Sequence, residues 1–147
     1  MITTVARSAL VALVLVGALA LATPSVAEMV NFKADLKAAS EVPPNDSKGS
    51  GSVTATYDTT SKKLSYKGRY SGLTGPATAA HFHGPAEPGN NAAVQIPVLS
   101  DANAKSPFEG EATLNDAQAS DLMAGKWYFN IHTAANKGGE IRGQVTK

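Results

Sequence analysis

From Val30 onward, apolar and polar residues alternate in short runs separated by glycine, proline and asparagine. In the first run, residues 30–38, every second side chain is apolar. Alternation with a period of two is typical of a β-strand that buries one face. Later runs repeat the pattern, with apolar faces at Val53, Ala55 and Tyr57, at Leu64, Tyr66 and Tyr70, at Val94, Ile96 and Val98, at Trp127, Phe129 and Ile131, and at Ile141, Gly143 and Val145. The pattern therefore predicts an all-β domain.

Two local signals refine this prediction. Pro97 lies inside one of the runs and removes a backbone donor, so its strand is expected at a sheet edge or at a bulge. Asn115, with Gln118 three residues later, is typical of a helix N-terminus, and Gly125 is typical of the residue that follows a helix. About eight short antiparallel strands and one short helix predict a Greek-key sandwich or barrel.

The first 27 residues are expected to be a signal peptide. Residues 9–22 form an uncharged apolar run, Pro24 interrupts it, and Ser25-Val26-Ala27 supplies the small residues of a cleavage site. The run is shorter than the roughly 20 residues of a membrane-spanning helix. We therefore expect a mature domain of residues 28–147, periplasmic or secreted and without a membrane span; an uncleaved N-terminal anchor is the alternative.

Composition narrows the classes of function. The formal net charge is +1, which argues against nucleic acid or an anionic membrane surface as the main partner. The chain has no cysteine, so an exported domain of this sequence must be stable without disulfides. It also has no G-x-S-x-G motif and no phosphate-binding glycine loop that leads into a helix, which gives no support to those hydrolase and nucleotide-binding classes.

The three histidines of the chain all lie in two of the predicted strands. His81 and His83 flank Phe82, and residues two apart on a strand point to the same face. The two imidazoles therefore project together, while Phe82 points into the core. His132 is out of phase with the apolar residues of its own strand, so it is expected on the same non-core face. Three imidazoles predict a metal site, with copper favoured over zinc.

Glu140 begins the last predicted strand, residues 140–146, and is out of phase with its apolar positions. It is a candidate fourth ligand, or a hydrogen-bond acceptor for an imidazole N–H. Arg142 lies two residues further on, on the same strand face. The favoured interpretation of the two charges is an ion pair that closes the sheet, and the alternative is a charged rim that orients a ligand. The histidines also have a second interpretation, as structural residues that brace loops through hydrogen bonds with neighbouring asparagines and threonines.

Several short segments occur in a specific order between about Phe32 and Val145. They are Glu41-Val42-Pro43-Pro44, the strand that begins at Gly51, Tyr70-Ser71-Gly72-Leu73, Ala80-His81-Phe82-His83-Gly84-Pro85-Ala86, Leu122-Met123-Ala124-Gly125, Asn130-Ile131-His132-Thr133, and Gly138-Gly139-Glu140-Ile141-Arg142-Gly143-Gln144. In these segments the chain resembles the CHRD domain family, in the single-domain form found in exported bacterial proteins. The resemblance implies an all-β barrel of immunoglobulin-like or superoxide-dismutase-like type.

The strand that carries His81 and His83 is also similar to the copper-binding strand of Cu,Zn superoxide dismutase. The further histidines and the disulfide of that family are missing from this sequence. The resemblance therefore leaves a mononuclear copper site open and argues against a dinuclear copper–zinc centre.

Two functions follow as hypotheses. In the first, the exported domain binds one transition-metal ion, for metal handling or for redox chemistry such as superoxide dismutation; an enzyme of this kind would be a copper-dependent oxidoreductase. In the second, the domain is a metal-free interaction module with an envelope or extracellular protein as its partner, and its histidines are structural.

Overall fold

The computed structural model describes residues 26–100 and 104–147. The predicted signal peptide, residues 1–27, lies outside this part of the chain except for its last two residues, so it stays a prediction. The described elements, in chain order, are β1 (Met29–Lys37), a 3-10 turn (Ala38–Ser40), β2 (Ser50–Asp58), β3 (Lys63–Ser71), β4 (Ala77–His83), β5 (Val94–Ser100), β6 (Phe108–Thr113), α1 (Asp116–Met123), β7 (Tyr128–Thr133) and β8 (Ile141–Gln144).

The eight strands form one antiparallel sheet in the order β5-β4-β7-β8-β1-β2-β3-β6. The sheet curves into a nearly closed barrel or sandwich, with β5 and β6 as its two edges. The predicted fold class, about eight antiparallel strands with one short helix, is confirmed.

The inner face of the sheet forms the hydrophobic core. Phe32 lies opposite Ala55 where β1 pairs with β2, and Phe82 lies opposite Phe129 where β4 pairs with β7. These residues are buried, as the alternating pattern predicts, because every second side chain of a strand faces inward. The largest fully buried members of the core are Trp127, Phe82, Phe129, Leu36, Leu64, Leu114, Leu122, Ile131, Ile141 and Val145.

The local predictions about Pro97 and the helix are also confirmed. Pro97 lies in the edge strand β5, beside a shift in the register between β4 and β5. The side chain of Asn115 accepts a hydrogen bond from the Gln118 backbone, and the Gln118 side chain accepts one from the Asn115 backbone. Gly125 follows the helix with a φ of 73°, a conformation that glycine adopts without strain. In residues 26–100 and 104–147, no helix is long and apolar enough to span a bilayer.

The last strand is shorter than predicted. The predicted range is 140–146, whereas β8 spans Ile141–Gln144, and beyond it Thr146 forms only an isolated bridge with Lys33. Gly139 has a φ of 135°, which favours glycine and marks a turn directly before the strand. Glu140 therefore lies at the end of this turn, and strand periodicity does not determine where its side chain points.

Candidate metal centre

His81, His83 and His132 lie on neighbouring strands, on the face that points away from the core. β4 carries the first two and pairs antiparallel with β7, where His132 lies opposite Ala79. Phe82 is fully buried in the core between the two histidines of β4. The structure therefore brings together the three histidines that the sequence singles out.

The three imidazoles converge closely enough to share one ion. One ligand nitrogen from each histidine lies within 4.8 Å of the other two. The closest pair is Nδ1 of His81 and Nε2 of His132, 3.2 Å apart. Zinc binds imidazole nitrogen at about 2.0–2.1 Å, which places the ligand atoms of one ion roughly 3–4 Å apart. The cluster is close to this spacing.

Backbone carbonyls fix the orientation of two of the rings. Nδ1 of His83 lies 2.9 Å from the Ala92 oxygen, and Nδ1 of His132 lies 2.9 Å from the Lys137 oxygen. A carbonyl oxygen only accepts hydrogen bonds, so each Nδ1 must carry a proton, and in the neutral ring each Nε2 must then carry a lone pair. Among the described residues, the buried Nε2 of His83 has no hydrogen-bond partner. These two Nε2 atoms are therefore in the protonation state that binds a metal ion.

Burial keeps the imidazoles neutral. It lowers the pKa of His81 to about 4, and the neighbouring His132 and His83 act in the same direction. It also lowers the pKa of His83 and of His132, although hydrogen bonding to the carbonyls partly opposes this effect. Metal ligation requires neutral imidazole, so near pH 7 protons compete little for the three rings.

Tyr128 packs against the histidine cluster. Its ring stacks on His83 with a centroid separation of 4.7 Å and an interplanar angle of 1°. The guanidinium carbon of Arg142 lies 3.3 Å from the centre of the same ring, within the range of a cation–π interaction. The phenol also accepts a hydrogen bond from the Ala92 backbone N–H (3.2 Å). Tyr128 thus joins His83, Arg142 and the loop that holds Ala92.

Glu140 is not in the histidine cluster. Its fully buried carboxylate accepts five hydrogen bonds, from the hydroxyls of Ser47, Thr74 and Thr133, the Thr74 backbone and the Asn136 amide. Burial alone would raise its pKa, but these donors lower the pKa to about 2. None of the donors is an imidazole, so the expected direct bond to a histidine N–H is not formed. The proposed fourth-ligand role would require this carboxylate to leave its five donors.

The expected ion pair between Glu140 and Arg142 is wrong. Arg142 is also buried, but its guanidinium donates hydrogen bonds to Oδ1 of Asn91 (2.9 Å) and to the backbone oxygen of Asn90. In the described residues, the ion pairs lie elsewhere, at Lys62–Asp116 and Lys63–Glu111. The prediction failed because the turn at Gly139 removes Glu140 from the strand face of Arg142.

A second buried carboxyl group, that of Glu41, lies nearby. It is 4% exposed, and burial raises its pKa to about 7, although the positive charge of Arg142 opposes the shift. Its Oε1 atom and Oδ1 of Asn130 are both buried and find no hydrogen-bond partner in the part of the chain that the structure describes. A Cβ atom on Gly139 would clash with the side chains of Glu41 and Asn130, so the turn requires glycine for space as well as for its φ.

The sequence pattern missed the immediate partners of the rings. The loop-bracing interpretation predicted Asn130, Thr133 and Asn136 as partners. The Asn130 side chain does interact with His83 and raises its pKa, but Thr133 and Asn136 bind Glu140, and backbone carbonyls hold His83 and His132. Main-chain carbonyls occur at every position and give no sequence signal. Tyr128 did carry a signal, because it is in phase with His132 on β7.

The fold and the segments around the site agree with the family comparison. The CHRD domain profile matches residues 32–145, nearly the whole chain. The protein therefore belongs to the CHRD domain family. No curated protein and no solved structure gives a significant match to the chain.

Proposed function

We propose that this exported CHRD domain binds one transition-metal ion through His81, His83 and His132. The convergence of three neutral imidazoles, with ligand atoms within 4.8 Å of one another, is the observation that carries the proposal. The buried, unpartnered Nε2 of His83 supports it. A buried acceptor without a partner is unfavourable, and coordination to a metal ion would satisfy this lone pair.

We propose copper as the preferred ion. The donor set consists of imidazoles without a thiolate, and divalent copper binds nitrogen ligands more tightly than zinc does. His81 and His132 are partly exposed, so this side of the centre faces solvent and can admit a small molecule. Bound copper would supply one-electron redox chemistry, and the protein would orient the ion and keep its imidazole ligands neutral. Metal handling or superoxide dismutation in the periplasm or outside the cell is the role that we propose.

The decisive experiment is a titration of the purified, untagged protein with copper and zinc. We expect about one equivalent of copper per chain, with weaker zinc binding. Replacement of His81 and His83 by alanine should abolish stoichiometric binding. Thr54→Ala, on the exposed outer side of β2, is the control and should bind like the parent protein. A double-alanine variant that kept one tightly bound equivalent would refute the proposed ligand set.

A second candidate function has its own support. The carbonyl hydrogen bonds of His83 and His132 tie the loops around Ala92 and Lys137 to the sheet, as structural histidines would in a metal-free interaction module. In that case copper and chelators would leave the melting temperature unchanged. The alanine variants would also lose stability without any change in metal content.

A further inference from the structure

We infer that Glu140 and Arg142 are positioning residues of the metal centre. Each holds a different loop, and each loop presents the backbone carbonyl that orients one imidazole. This inference rests on the proposed metal-binding function for its purpose. Its geometric content, the orientation of the rings, can be tested without a metal.

Glu140 acts on the turn between β7 and β8. Its Oε2 atom accepts hydrogen bonds from Oγ1 of Thr133 (2.6 Å) and Nδ2 of Asn136 (3.1 Å). These two residues bracket the start of the turn, and the next residue, Lys137, supplies the oxygen that binds Nδ1 of His132. The buried carboxylate therefore holds the carbonyl that keeps Nε2 of His132 unprotonated, where it faces Nδ1 of His81 at 3.2 Å.

Arg142 acts on the loop between β4 and β5. Its guanidinium binds the backbone oxygen of Asn90 and Oδ1 of Asn91, directly before the Ala92 oxygen that binds Nδ1 of His83. Its packing on Tyr128 strengthens the same connection, because the Tyr128 hydroxyl accepts a hydrogen bond from the Ala92 N–H. The cation therefore holds the carbonyl that leaves Nε2 of His83 free.

We call the connection from Glu140 to His132 the Glu140 arm and the connection from Arg142 to His83 the Arg142 arm. Both arms begin in one short segment of the chain. Glu140 and Arg142 flank Ile141, which is fully buried in the core. Burying a charged group is costly unless hydrogen bonds satisfy it. Arg142 binds groups of the loop that it holds, whereas Glu140 binds Thr133 and Asn136 of its turn and also Ser47 and Thr74. Partners that orient metal-binding imidazoles typically change metal affinity about 10- to 100-fold when they are removed.

The Glu140 arm has a matched pair of variants. Asn136→Ala and Ser47→Ala each remove one hydrogen bond to the same carboxylate, but only Asn136 belongs to the turn that holds Lys137. We expect Asn136→Ala to weaken copper binding about 10-fold or more. Ser47→Ala should leave the affinity within about twofold of the parent value. Equal effects of the two variants on copper affinity would overturn the inference for Glu140.

The Arg142 arm is tested by Arg142→Lys. Lysine keeps the positive charge but lacks the planar fork that reaches two acceptors. We expect the affinity for copper to fall about 10-fold or more. Arg69→Lys makes the same change at an exposed position of β3 and should have no effect. An Arg142→Lys variant with the affinity of the parent protein would overturn the inference for this arm.

The ring tautomers provide a measurement that does not depend on metal. Long-range ¹H–¹⁵N spectra of the metal-free protein should show His83 and His132 protonated at Nδ1. Asn136→Ala should perturb His132 selectively, and Arg142→Lys should perturb His83 selectively. If the parent protein shows these tautomers and the variants lose them, the inference stands even if copper does not bind, whereas the proposed function then fails. Protonation at Nε2 in the parent protein would overturn the inference whether or not copper binds.

Discussion

Two parts of the barrel differ in how much of each strand is buried: the first part is β1, β2, β3 and β6, and the second is the pair β4 and β7, which carries the histidines. In β1, β2, β3 and β6, inward residues are buried while most outward residues remain in solvent, as the alternating burial of Met29–Lys37 illustrates. In β7, five of six residues are buried, and only His132 is partly exposed. The loops that hold Ala92 and Lys137 bind histidines on the outer face of β4 and β7. A site can form there because polar side chains are enclosed between the sheet and its loops.

The two parts also treat charge differently. The ion pairs of Lys62 with Asp116 and Lys63 with Glu111 involve exposed side chains, and such pairs contribute little stability. Near the candidate metal centre, by contrast, Glu140 and Arg142 are buried and bind neutral hydrogen-bonding groups instead of each other. Charge in the first part is exposed and paired, whereas charge in the second part is buried and hydrogen-bonded to loop residues. The difference can be tested by substitution.

The largest expected effect is the loss of a buried carboxylate. Glu140→Ala removes the acceptor of five hydrogen bonds, so we expect the free energy of unfolding to fall by roughly 3–5 kcal/mol, because each buried donor left without an acceptor costs about 1–3 kcal/mol. Glu111→Ala, at an exposed position of β6, should change the free energy of unfolding little. Chemical denaturation of both variants measures the contrast. Similar losses would remove the distinction between buried and exposed charge.

A pH-dependent effect of slightly smaller size is expected at Glu41. Its pKa is raised to about 7, mainly by burial and against the charge of Arg142, so the folded protein holds this proton more tightly than the unfolded chain. The contribution of Glu41 is therefore fully favourable below about pH 4.5 and is lost as pH rises toward 7, by up to about 3 kcal/mol. Glu41→Gln, which mimics the protonated group, should remove this decline.

Denaturation of the parent protein and Glu41→Gln between pH 5 and pH 8 measures this contribution. The lowered pKa values of the histidines give a dependence of stability on pH with the opposite sign. Because both proteins contain the same histidines, the difference between them isolates the contribution of Glu41. A difference that stays constant across this range would contradict the raised pKa.

Metal binding should stabilise the part of the barrel that carries the histidines. Copper at 100 times its dissociation constant is expected to raise the free energy of unfolding by about 2.7 kcal/mol, because the ion binds the folded state. A chelator should reverse the effect, and His81→Ala/His83→Ala should not show it. Calorimetry with and without copper makes the measurement. Equal stabilisation of the double variant would indicate binding elsewhere on the protein.

The smallest expected effect is at the helix that follows the outer strand β6. Asn115→Ala removes the side-chain cap of α1, which should cost about 1 kcal/mol of stability. Copper affinity should not change, because the cap lies outside both loop connections to the histidines. A loss of copper-binding free energy larger than the loss of unfolding free energy would show coupling between the helix and the metal centre.

Sequence patterns predicted the strands and the helix cap because burial repeats every two residues and capping needs specific side chains. They also predicted that His81, His83 and His132 share a face, since this follows from strand phase alone. They could not predict the role of Glu140, because the left-handed turn at Gly139 interrupts the phase. The carbonyls that orient the rings escaped prediction as well, since loop conformation determines which backbone oxygen reaches a side chain.

Pro97 has a consequence for how copies of this protein behave at high concentration. It lies in β5, an edge strand that, within residues 26–100 and 104–147, pairs only with β4, and its partner there is His81. An exposed sheet edge can recruit a strand from a second chain, and a proline makes the edge a poorer template because it has no N–H to donate. We therefore expect Pro97 to disfavour edge-to-edge aggregation through the strand beside the candidate metal centre.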